Sequence, residues 1–244
     1  MRKVFTDMNI VALVTGRGNN TLKDKNVLNV LGRPLMYYPC AAAKRSSLIS
    51  DFYVSSDDEK ILACGESLGF KRIERPAELA TPTSQHVDVI RHALGRMRDA
   101  GCVPDILVVL LANNATVKTE WIDASIRKIL NDETVSSVCP VEQDQDHHPF
   151  RAKTVDEDGN LRTFFDFGSR VSTNRQDLPP CYFLCHNFWT LNVRRSVDSE
   201  EEGQPPWNFL GSKIRPMVVS GCFDVHSEDD IARTENWIRS NAMR

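Results

Sequence analysis

The chain has 244 residues, of which 41% are hydrophobic, so it is long enough for one large α/β domain with a substantial core. Its formal net charge of −3 and isoelectric point near 6.1 argue against a general nucleic-acid-binding protein. No apolar run reaches the roughly 18 residues of a membrane span, and the first residues lack the apolar region of a signal peptide. The seven cysteines form no Cys-x-x-Cys pair, which favours buried thiols in a reducing cytoplasm. We therefore expect a cytoplasmic protein that binds neither nucleic acid nor a membrane.

Short apolar runs rich in β-branched residues alternate with helical patterns along the chain. Pro34 suits a first helical turn, and Ser56 and Ser227 each begin a polar run that has the form of a helix N-cap. The predicted strands span residues 10–14, 52–55, 106–111, 135–141, 182–191 and 217–225. The predicted helices span residues 34–48, 56–68, 84–100, 119–130 and 227–238.

This alternation favours a mostly parallel sheet that is covered by helices on both faces. We therefore predict a three-layer α/β/α domain of the Rossmann-like kind. Ligands of such sheets bind at the carboxyl ends of the strands. The loop that follows Val14, at the end of the first strand, is consequently the place where a binding site is expected.

The loop after the first strand carries two glycines and three basic residues. Glycine lets the backbone approach a ligand closely, and backbone N–H groups can receive phosphate oxygens that Arg and Lys neutralise. The spacing matches neither the P-loop nor the Gly-x-Gly-x-x-Gly pattern, because position 21 is Thr. The loop predicts a phosphate site of another kind, and the alternative is an ordinary turn with solvated lysines. The candidate residues are Gly16, Arg17, Gly18, Asn19, Lys23, Lys25 and Asn26.

A polar segment, residues 142–180, interrupts the alternation of strands and helices. Its turn at residues 158–160 lies between two short β-rich stretches and predicts a β-hairpin. We interpret the segment as an inserted arm between the two parts of one α/β domain, residues 1–141 and 181–244. Phe164 and Phe165 would be exposed on such an arm, which suggests a homodimer contact. The alternative is a flexible loop.

Five short motifs follow one another at a characteristic spacing. They occupy residues 17–26, 31–35, 54–59, 75–88 and 175–182. In this order they resemble the motifs of the N-acylneuraminate cytidylyltransferases and the related synthetases of CMP-ulosonic acids. The resemblance covers roughly residues 9 to 238 and implies the nucleotidyltransferase fold, with a small inserted dimerisation arm. It also implies attack by a sugar hydroxyl on the α-phosphate of CTP, with release of pyrophosphate.

The resemblance also assigns roles to individual residues. Arg17 and Lys25 are the implied catalytic residues that hold the triphosphate, and Lys23 would replace a lysine that the family has in this loop. Mg²⁺ is the implied cofactor, with Mn²⁺ possible because a histidine stands in the predicted metal site. Asn26, Arg75 and Asn113 join the glycine loop as nucleotide-binding candidates. The predicted sugar-binding residues are Ser84, Gln176, Asp177, Tyr182 and His186, and the predicted metal ligands are Asp224 and His226.

The chain also departs from the family pattern at four places. Thr21 replaces the loop lysine, and Ala112 replaces a glutamine that helps to read the base. Residues 183–187 differ from the family's sugar-pocket motif, and His226 replaces the second aspartate of a metal-binding Asp-x-Asp. These departures leave two alternatives open. One is a nucleotidyltransferase with another nucleotide or sugar, and the other is a non-catalytic relative that binds a sugar or nucleotide.

Overall fold

The computed structural model describes residues 8–18, 21–168 and 171–241 of the chain. Its five α-helices among these residues are α1 (Tyr37–Lys44), α2 (Glu59–Ser67), α3 (His86–Asp99), α4 (Thr119–Asn131) and α5 (Glu228–Ser240). The strands are β1 (Ile10–Thr15), β2 (Asn29–Val30), β3 (Arg33–Pro34), β4 (Asp51–Ser56), β5 (Lys71–Glu74), β6 (Ile106–Leu111), β7 (Ser137–Gln143), β8 (Lys153–Val155), β9 (Leu161–Thr163), β10 (Tyr182–Leu184), β11 (Phe188–Asn192) and β12 (Ile214–Val218).

Eight of these strands form one mixed sheet in which most strands share a direction. The neighbours β6, β1, β4 and β5 pair in parallel, and β12 pairs in parallel with β7. Among the described strands of this sheet, β10 and β11 run in the opposite direction to the other six, and they pair antiparallel with β7 and with β6 and β7, respectively. The predicted α/β fold with a mostly parallel sheet is therefore confirmed.

Strand β1 shows why the domain has three layers. All six of its residues are buried, and alternate side chains point to opposite faces of the sheet. Ala12 and Val14 pack into a cluster with buried residues of α1, α2 and α4. Val11 and Leu13 pack on the other face with α3 and with Trp189 of β11. A strand buried on both faces cannot shift by one residue without losing both contacts, so it fixes where its C-terminal loop emerges.

Two helix starts follow the local chemistry of their caps. The side chain of Ser227 forms a capping box with Asp230 at the start of α5, as its sequence predicts. Helix α2 begins later than expected, because Asp58 rather than Ser56 is its N-cap. The Asp58 carboxylate accepts hydrogen bonds from the backbone N–H of Lys60 and Ile61, at 2.7 and 3.3 Å.

Three predicted elements have different bounds in the structure. Helix α1 starts at Tyr37, because Pro34 pairs with Asn29 in the small β2–β3 ladder. The predicted strand 217–225 is β12, which ends at Val218. The predicted strand 182–191 is split into β10 and β11. Strand β5 was not predicted, since the charged sequence Lys71–Glu74 lacks an apolar run.

The break between β10 and β11 is a wide bulge against β7. Leu184 pairs with Val141 and Thr190 with Val138, so five residues of one strand face two of the other. Within the bulge, the Asn187 amide donates to the carbonyl of Thr116 at 3.0 Å. The Leu111 backbone N–H, at the end of β6, donates to the Asn187 carbonyl. The bulge thus places His186 and Asn187 at the carboxyl end of β6.

The predicted hairpin of the inserted segment is present. Strands β8 and β9 pair antiparallel, and Gly159 adopts a positive φ of 81° in the connecting turn. The hairpin side chains at these strand positions are exposed. The boundaries of the arm, residues 142–180, and its role in dimer formation stay predictions. No α-helix of the described residues is long and apolar enough to cross a membrane.

Two helical glycines offer a matched test of the packing between α2 and the sheet. A Cβ at Gly65 would lie 2.6 Å from Cγ1 of Val54, whereas a Cβ at Gly95 of α3 would meet no atom within 4 Å. We expect Gly65→Ala to lower the free energy of unfolding by about 1–3 kcal/mol, because the extra methyl overpacks the core. Gly95→Ala should raise it by roughly 0.5–1 kcal/mol through helix propensity. Urea unfolding of the two variants measures both effects, and equal shifts would contradict the packing described.

Candidate active site

A cavity of about 280 Å³ opens at the carboxyl ends of β1 and β6. It is the place that the parallel topology predicts for a ligand. Two segments far apart in sequence contribute cationic side chains to it, the first loop with Arg17 and Lys25 and the end of β5 with Arg75, and Asp224 adds a carboxylate from the loop before α5. The structure thereby brings together eight of the predicted site residues: Gly16, Arg17, Lys25, Asn26, Arg75, Ser84, Asn113 and Asp224.

The first loop is held in place by hydrogen bonds and by close packing. The Gly16 N–H donates to the carbonyl of Ser55 at 3.2 Å, and a Cβ at Gly16 would lie 3.1 Å from Cβ of Ala112. The buried Asn26 amide donates to the carbonyl of Arg17 at 3.0 Å. Asn26 therefore stabilises the conformation of the loop at Arg17. Ala112 is fully buried, and its small side chain lets Gly16 approach.

The backbone N–H of Gly18 already has a hydrogen-bond partner within the protein. Its backbone N–H donates to Oδ1 of Asp57 at 3.0 Å, and a Cβ there would lie 2.6 Å from Oδ2 of Asp58. The carboxylate that follows β4 thus already accepts from this N–H, and Gly18 is not among the described residues that line the cavity, so its role in nucleotide binding stays a prediction. Lys23 is exposed on the next turn and is not part of the described cavity lining. Asn19 lies outside the described residues.

Two cationic side chains enter the cavity from the first loop. The Lys25 ammonium donates to the carbonyl of Val225 at 3.3 Å, and the Arg17 guanidinium donates to the carbonyl of Thr81 at 2.7 Å. Burial lowers the pKa of Lys25, the Asp224 carboxylate opposes this shift, and Arg17 adds to it. The lysine is therefore partly desolvated beside another cation, which favours an anionic ligand.

Arg75 is the most deeply buried cation of the site. Its side chain is only 9% exposed, and its Nη2 donates to the carbonyl of Ser55 at 2.8 Å. No described carboxylate lies within ion-pair distance of it. Burial lowers the pKa of Arg75 to about 10, with Asp57 opposing and Arg17 reinforcing the shift. The arginine remains charged at neutral pH, and a buried charge without a counter-ion is costly unless a ligand supplies one.

Asp224 is the acidic group of the cavity. Its Oδ1 accepts a hydrogen bond from the Asn114 amide at 2.7 Å, and only 20% of its side chain is exposed. Burial raises the pKa of Asp224, against the opposing effects of Asn114, His186, His226 and Lys25. The Asn114 side chain itself is fully buried and also accepts from the backbone N–H of Thr116. Asn114, which sequence analysis missed, thus fixes the orientation of the carboxylate.

The predicted metal ligands form an open rather than a closed arrangement. His226 Nε2 lies 3.8 Å from Oδ2 of Asp224, and its side chain is 71% exposed. No group of three His, Cys, Asp or Glu side chains in the described part of the chain could hold a metal by itself. Mg²⁺ commonly takes one or two carboxylates and completes its shell with phosphates and water. One fixed carboxylate beside a cationic pocket fits that pattern.

The predicted sugar-binding residues fall into three places. Ser84 lines the cavity, and its hydroxyl donates to the carbonyl of Glu78 at 3.0 Å. Gln176 and Asp177 lie on an exposed turn of the arm, where the Asp177 carboxylate accepts from Ser172 Oγ at 2.6 Å. Tyr182 begins the short strand β10 and is half-exposed. The structure therefore does not bring the arm residues into the described lining of the cavity.

His186 occupies the bulge between β10 and β11. Its ring contacts those of Trp189 and Trp207, with centroids 6.0 and 5.5 Å apart. It is close enough to Asp224 to lower the pKa of that carboxylate. His186 therefore lies beside the acidic end of the cavity, next to an aromatic surface.

His86 is a cavity residue that the sequence analysis did not identify. It is the first residue of α3, and its Nε2 lies 3.0 Å from the hydroxyl of Thr15 at the end of β1. Burial, Arg75 and His186 together lower the pKa of His86 to about 4. The imidazole is therefore neutral at pH 7. Its only sequence signal is its place two residues after Ser84, within a motif.

The depressed pKa of His86 makes stability depend on pH. The unfolded imidazole has a pKa of 6.5 and the folded one about 4, so the unfolded state takes up the proton first as the pH falls. Stability should therefore be lost between pH 6.5 and 4, and His86→Gln should reduce the loss between pH 7 and 5 by roughly 1–2 kcal/mol. Urea unfolding at the two pH values measures this difference. An identical pH dependence in the variant would contradict the assignment.

The chain matches a protein-family model, described as cytidylyltransferase, over residues 11–181. It is 35% identical over 91 residues to N-acylneuraminate cytidylyltransferase of Escherichia coli, which covers 37% of this chain and 22% of that protein. It is 30% identical over 126 residues to 3-deoxy-manno-octulosonate cytidylyltransferase of Bdellovibrio bacteriovorus, covering 51% and 47% of the two chains. The chain thus spans less than half the length of these two relatives.

A third relative matches over nearly its whole length. CMP-N,N'-diacetyllegionaminic acid synthase of Legionella pneumophila is 24% identical over 247 residues, covering 96% of this chain and 98% of that protein. The fold resembles that of CMP:2-keto-3-deoxy-manno-octonic acid synthetase complexed with CTP, with a TM-score of 0.68 at 13% identity over 95% of this chain and 99% of the other. Because the family model spans well over half of the sequence, the chain belongs to the cytidylyltransferase family.

Proposed function

We propose that the protein transfers CMP from CTP to the anomeric hydroxyl of a sialic-acid-like or other ulosonic acid and releases pyrophosphate. The observation that carries the proposal is the convergence of Arg17, Lys25 and Arg75 with Asp224 on one cavity at the carboxyl edge of the sheet. Family membership and relatives named for N-acylneuraminate, octulosonate and legionaminate support this choice of nucleotide and acceptor.

In the proposed reaction, the three cations hold the triphosphate. Attack on the α-phosphate needs charge neutralisation and alignment rather than a covalent intermediate. Lys25 and Arg75 are desolvated, so their attraction to phosphate oxygens is screened less than it would be at the surface. Arg17, anchored on the Thr81 carbonyl, would close the loop over the phosphates. Asn113 lines the cavity whereas Ala112 is buried, which supports Asn113 as the proposed contact to the nucleotide.

We propose Mg²⁺ as the cofactor, held by Asp224 together with the triphosphate. Bound there, the ion would neutralise phosphate charge and polarise the α-phosphate. Asn114 orients the carboxylate, and Lys25 lies near enough to favour its ionised form. His226 would act at the rim of this site, where its imidazole would make Mn²⁺ acceptable. The alternative is that His226 only helps to form the start of α5, where its backbone N–H donates to the carboxylate of Asp230.

The acceptor sugar would bind on the side of Asp224 that faces His186. Ser84 lies in the cavity, whereas Gln176, Asp177 and Tyr182 belong to the arm and its base. We propose that these arm residues contact the sugar in the assembled protein. The neutral imidazole of His86 would contribute a hydrogen bond without adding charge.

The arm further supports a proposed homodimer. Phe164 and Phe165 are 58% and 46% exposed, and Phe150 and Leu161 nearby are also exposed. Exposed aromatic clusters of this kind usually mark an interface. We also propose a cytoplasmic location, with which the seven free cysteines are compatible.

Pyrophosphate release tests the proposed activity directly. Each of the four nucleoside triphosphates is offered with Mg²⁺ or Mn²⁺ and a panel of eight- and nine-carbon ulosonic acids. We expect release with CTP and one acceptor, and a loss of roughly 10²-fold in kcat/KM for Lys25→Gln, which removes a desolvated cation from the triphosphate. Lys23→Gln, on the exposed turn, should cost much less. Equal losses for the two lysines would contradict the described cavity.

Two other outcomes separate the alternatives. Release with another nucleoside triphosphate would show that base selection has changed together with Ala112. Nucleotide binding without release, for every acceptor tested, would favour a non-catalytic relative. Asp224→Asn should lower the rate and weaken its dependence on Mg²⁺, whereas His226→Gln should mainly alter the preference between Mg²⁺ and Mn²⁺.

The proposed homodimer makes a separate prediction for the arm. The double variant Phe164→Ser with Phe165→Ser should shift the molecular mass measured by light scattering from a dimer towards a monomer, because two exposed aromatic side chains leave the interface. The matched control is Val103→Ser, which removes a 60% exposed apolar side chain of the main domain. Loss of the dimer in both variants, or in neither, would contradict an interface on the arm.

A further inference from the structure

We propose that the protein has a second anion-binding site, on the far side of Arg75, that takes a small phosphorylated molecule. The site is a cavity of about 830 Å³ at the free edge of the sheet, between β5 and α3. Its volume lies within the range of small-molecule sites in proteins. Nothing in the proposed transfer reaction uses it.

Unpartnered nitrogen atoms are the main observation. Among the described residues, eight buried side-chain nitrogen or oxygen atoms lack a hydrogen-bond partner. Three of them belong to residues that line this one cavity: Nε of Arg72, Nε of Arg75 and Nδ1 of His92. Buried polar atoms are normally paired, and an unpaired group calls for a missing ion, water or ligand. Two of the three are guanidinium N–H donors, so the missing partner is an acceptor.

The charges around the cavity specify what kind of acceptor fits. Lys71 and Arg96 stand at its exposed rim, and Arg75, which is 9% exposed, lies at its inner end. Lys71 already pairs with Asp51 at 2.7 Å, and Arg96 lies 3.6 Å from Asp99. These are exposed pairs, which contribute little and can exchange partners.

Arg72 and His92 are the other two lining residues that can carry a positive charge. Arg72 uses its terminal nitrogens for Glu59, Glu66 and Glu74, and this leaves Nε free. His92 has a pKa lowered by burial and by Arg96 and Arg75, against the opposing effect of Glu78. Arg75 therefore remains the one cation of the described lining with no carboxylate within ion-pair distance.

A phosphate group matches these donors better than a single carboxylate does. Its oxygens accept several hydrogen bonds at once, and the planar guanidinium fork binds them in pairs. The apolar part of the lining is formed by Tyr53, Ile73, Pro76 and Ala100, which would contact an apolar or sugar portion, and the one lining carboxylate, Glu74, pairs with Arg72 at 3.2 Å. We therefore infer a ligand with one or two phosphates on a small body, pyrophosphate and a sugar phosphate being the two sources.

Arg75 also links this site to the catalytic cavity, because it lines both. The hydrogen bond from Nη2 to the Ser55 carbonyl fixes the guanidinium between them. An anion bound in the second site beside Arg75 would stabilise the charged arginine in this position. Occupancy of the second site should therefore change nucleotide affinity at the first, and the coupling should be reciprocal.

His92 provides a direct reporter for the test, since the chain has only six histidines. Inorganic pyrophosphate and glucose 6-phosphate are titrated separately into the full-length, histidine-labelled protein, and the imidazole signals are followed by NMR, with His92→Gln for assignment. Acetate serves as the carboxylate control. We expect a saturable shift of His92 with at least one of the two phosphates, and the better ligand identifies the source.

Two variants locate the binding. Lys25→Gln removes a cation of the catalytic cavity and should leave the His92 shift in place. The double variant Lys71→Gln with Arg96→Gln should raise the apparent Kd at His92 by about tenfold or more, as expected for losing two charge-assisted contacts. Its unfolding midpoint in urea confirms that it is folded.

Three results would overturn the proposal. They are a His92 signal that neither phosphate moves, a shift that disappears in Lys25→Gln, and a folded double variant that binds as tightly as the original protein. The readout is binding, so it is independent of whether the proposed transfer of CMP takes place.

Discussion

A buried guanidinium is the constraint on which the site depends. Arg75 follows β5 directly, and its side chain reaches back to the Ser55 carbonyl of the neighbouring parallel strand. One hydrogen bond to a neutral carbonyl does not compensate for the desolvation of a full positive charge. The desolvation of Arg75 at the carboxyl edge of the sheet is therefore not fully compensated within the folded protein. An anionic ligand would offset that cost, which supports the proposed phosphate site in this cavity.

The packing of β1 fixes the position of the loop that carries the site. Its buried side chains fix the register on both faces, and the register determines where Gly16 leaves the sheet. Gly16 then lies against the buried Ala112, since a Cβ at Gly16 would be 3.1 Å from Cβ of Ala112. Ala112, where the family resemblance implies a base-reading glutamine, thus takes part in the packing of the loop. The next residue, Asn113, is the one that reaches the cavity.

Sequence reasoning identified the elements that carry strong local signals. Buried parallel strands, amphipathic helices and the Ser227 cap all follow from patterns within a few residues of each other. It also predicted a site at the carboxyl ends of the strands, where parallel strands end together, and Arg17, Lys25 and Arg75 line one cavity there. It failed where a long-range contact decides the structure. The bulge at residues 185–187 arises from hydrogen bonds to Pro140, Leu111 and Thr116, which are distant in sequence.

The missed site residues show the same limit. His86 and Asn114 carry no pattern of their own, and each matters because of one partner that folding supplies, Thr15 for the first and Asp224 for the second. Asp57, by contrast, lies inside a recognised motif, but its role there was not predicted. Its carboxylate accepts the hydrogen bond from the Gly18 N–H, which would otherwise be available to a phosphate oxygen. A phosphate that enters the loop must therefore displace this carboxylate or bind beside it. Because a carboxylate and a phosphate repel each other, Asp57 would oppose a phosphate at this position, and Arg75, whose pKa Asp57 raises, is a cation close enough to offset part of that repulsion.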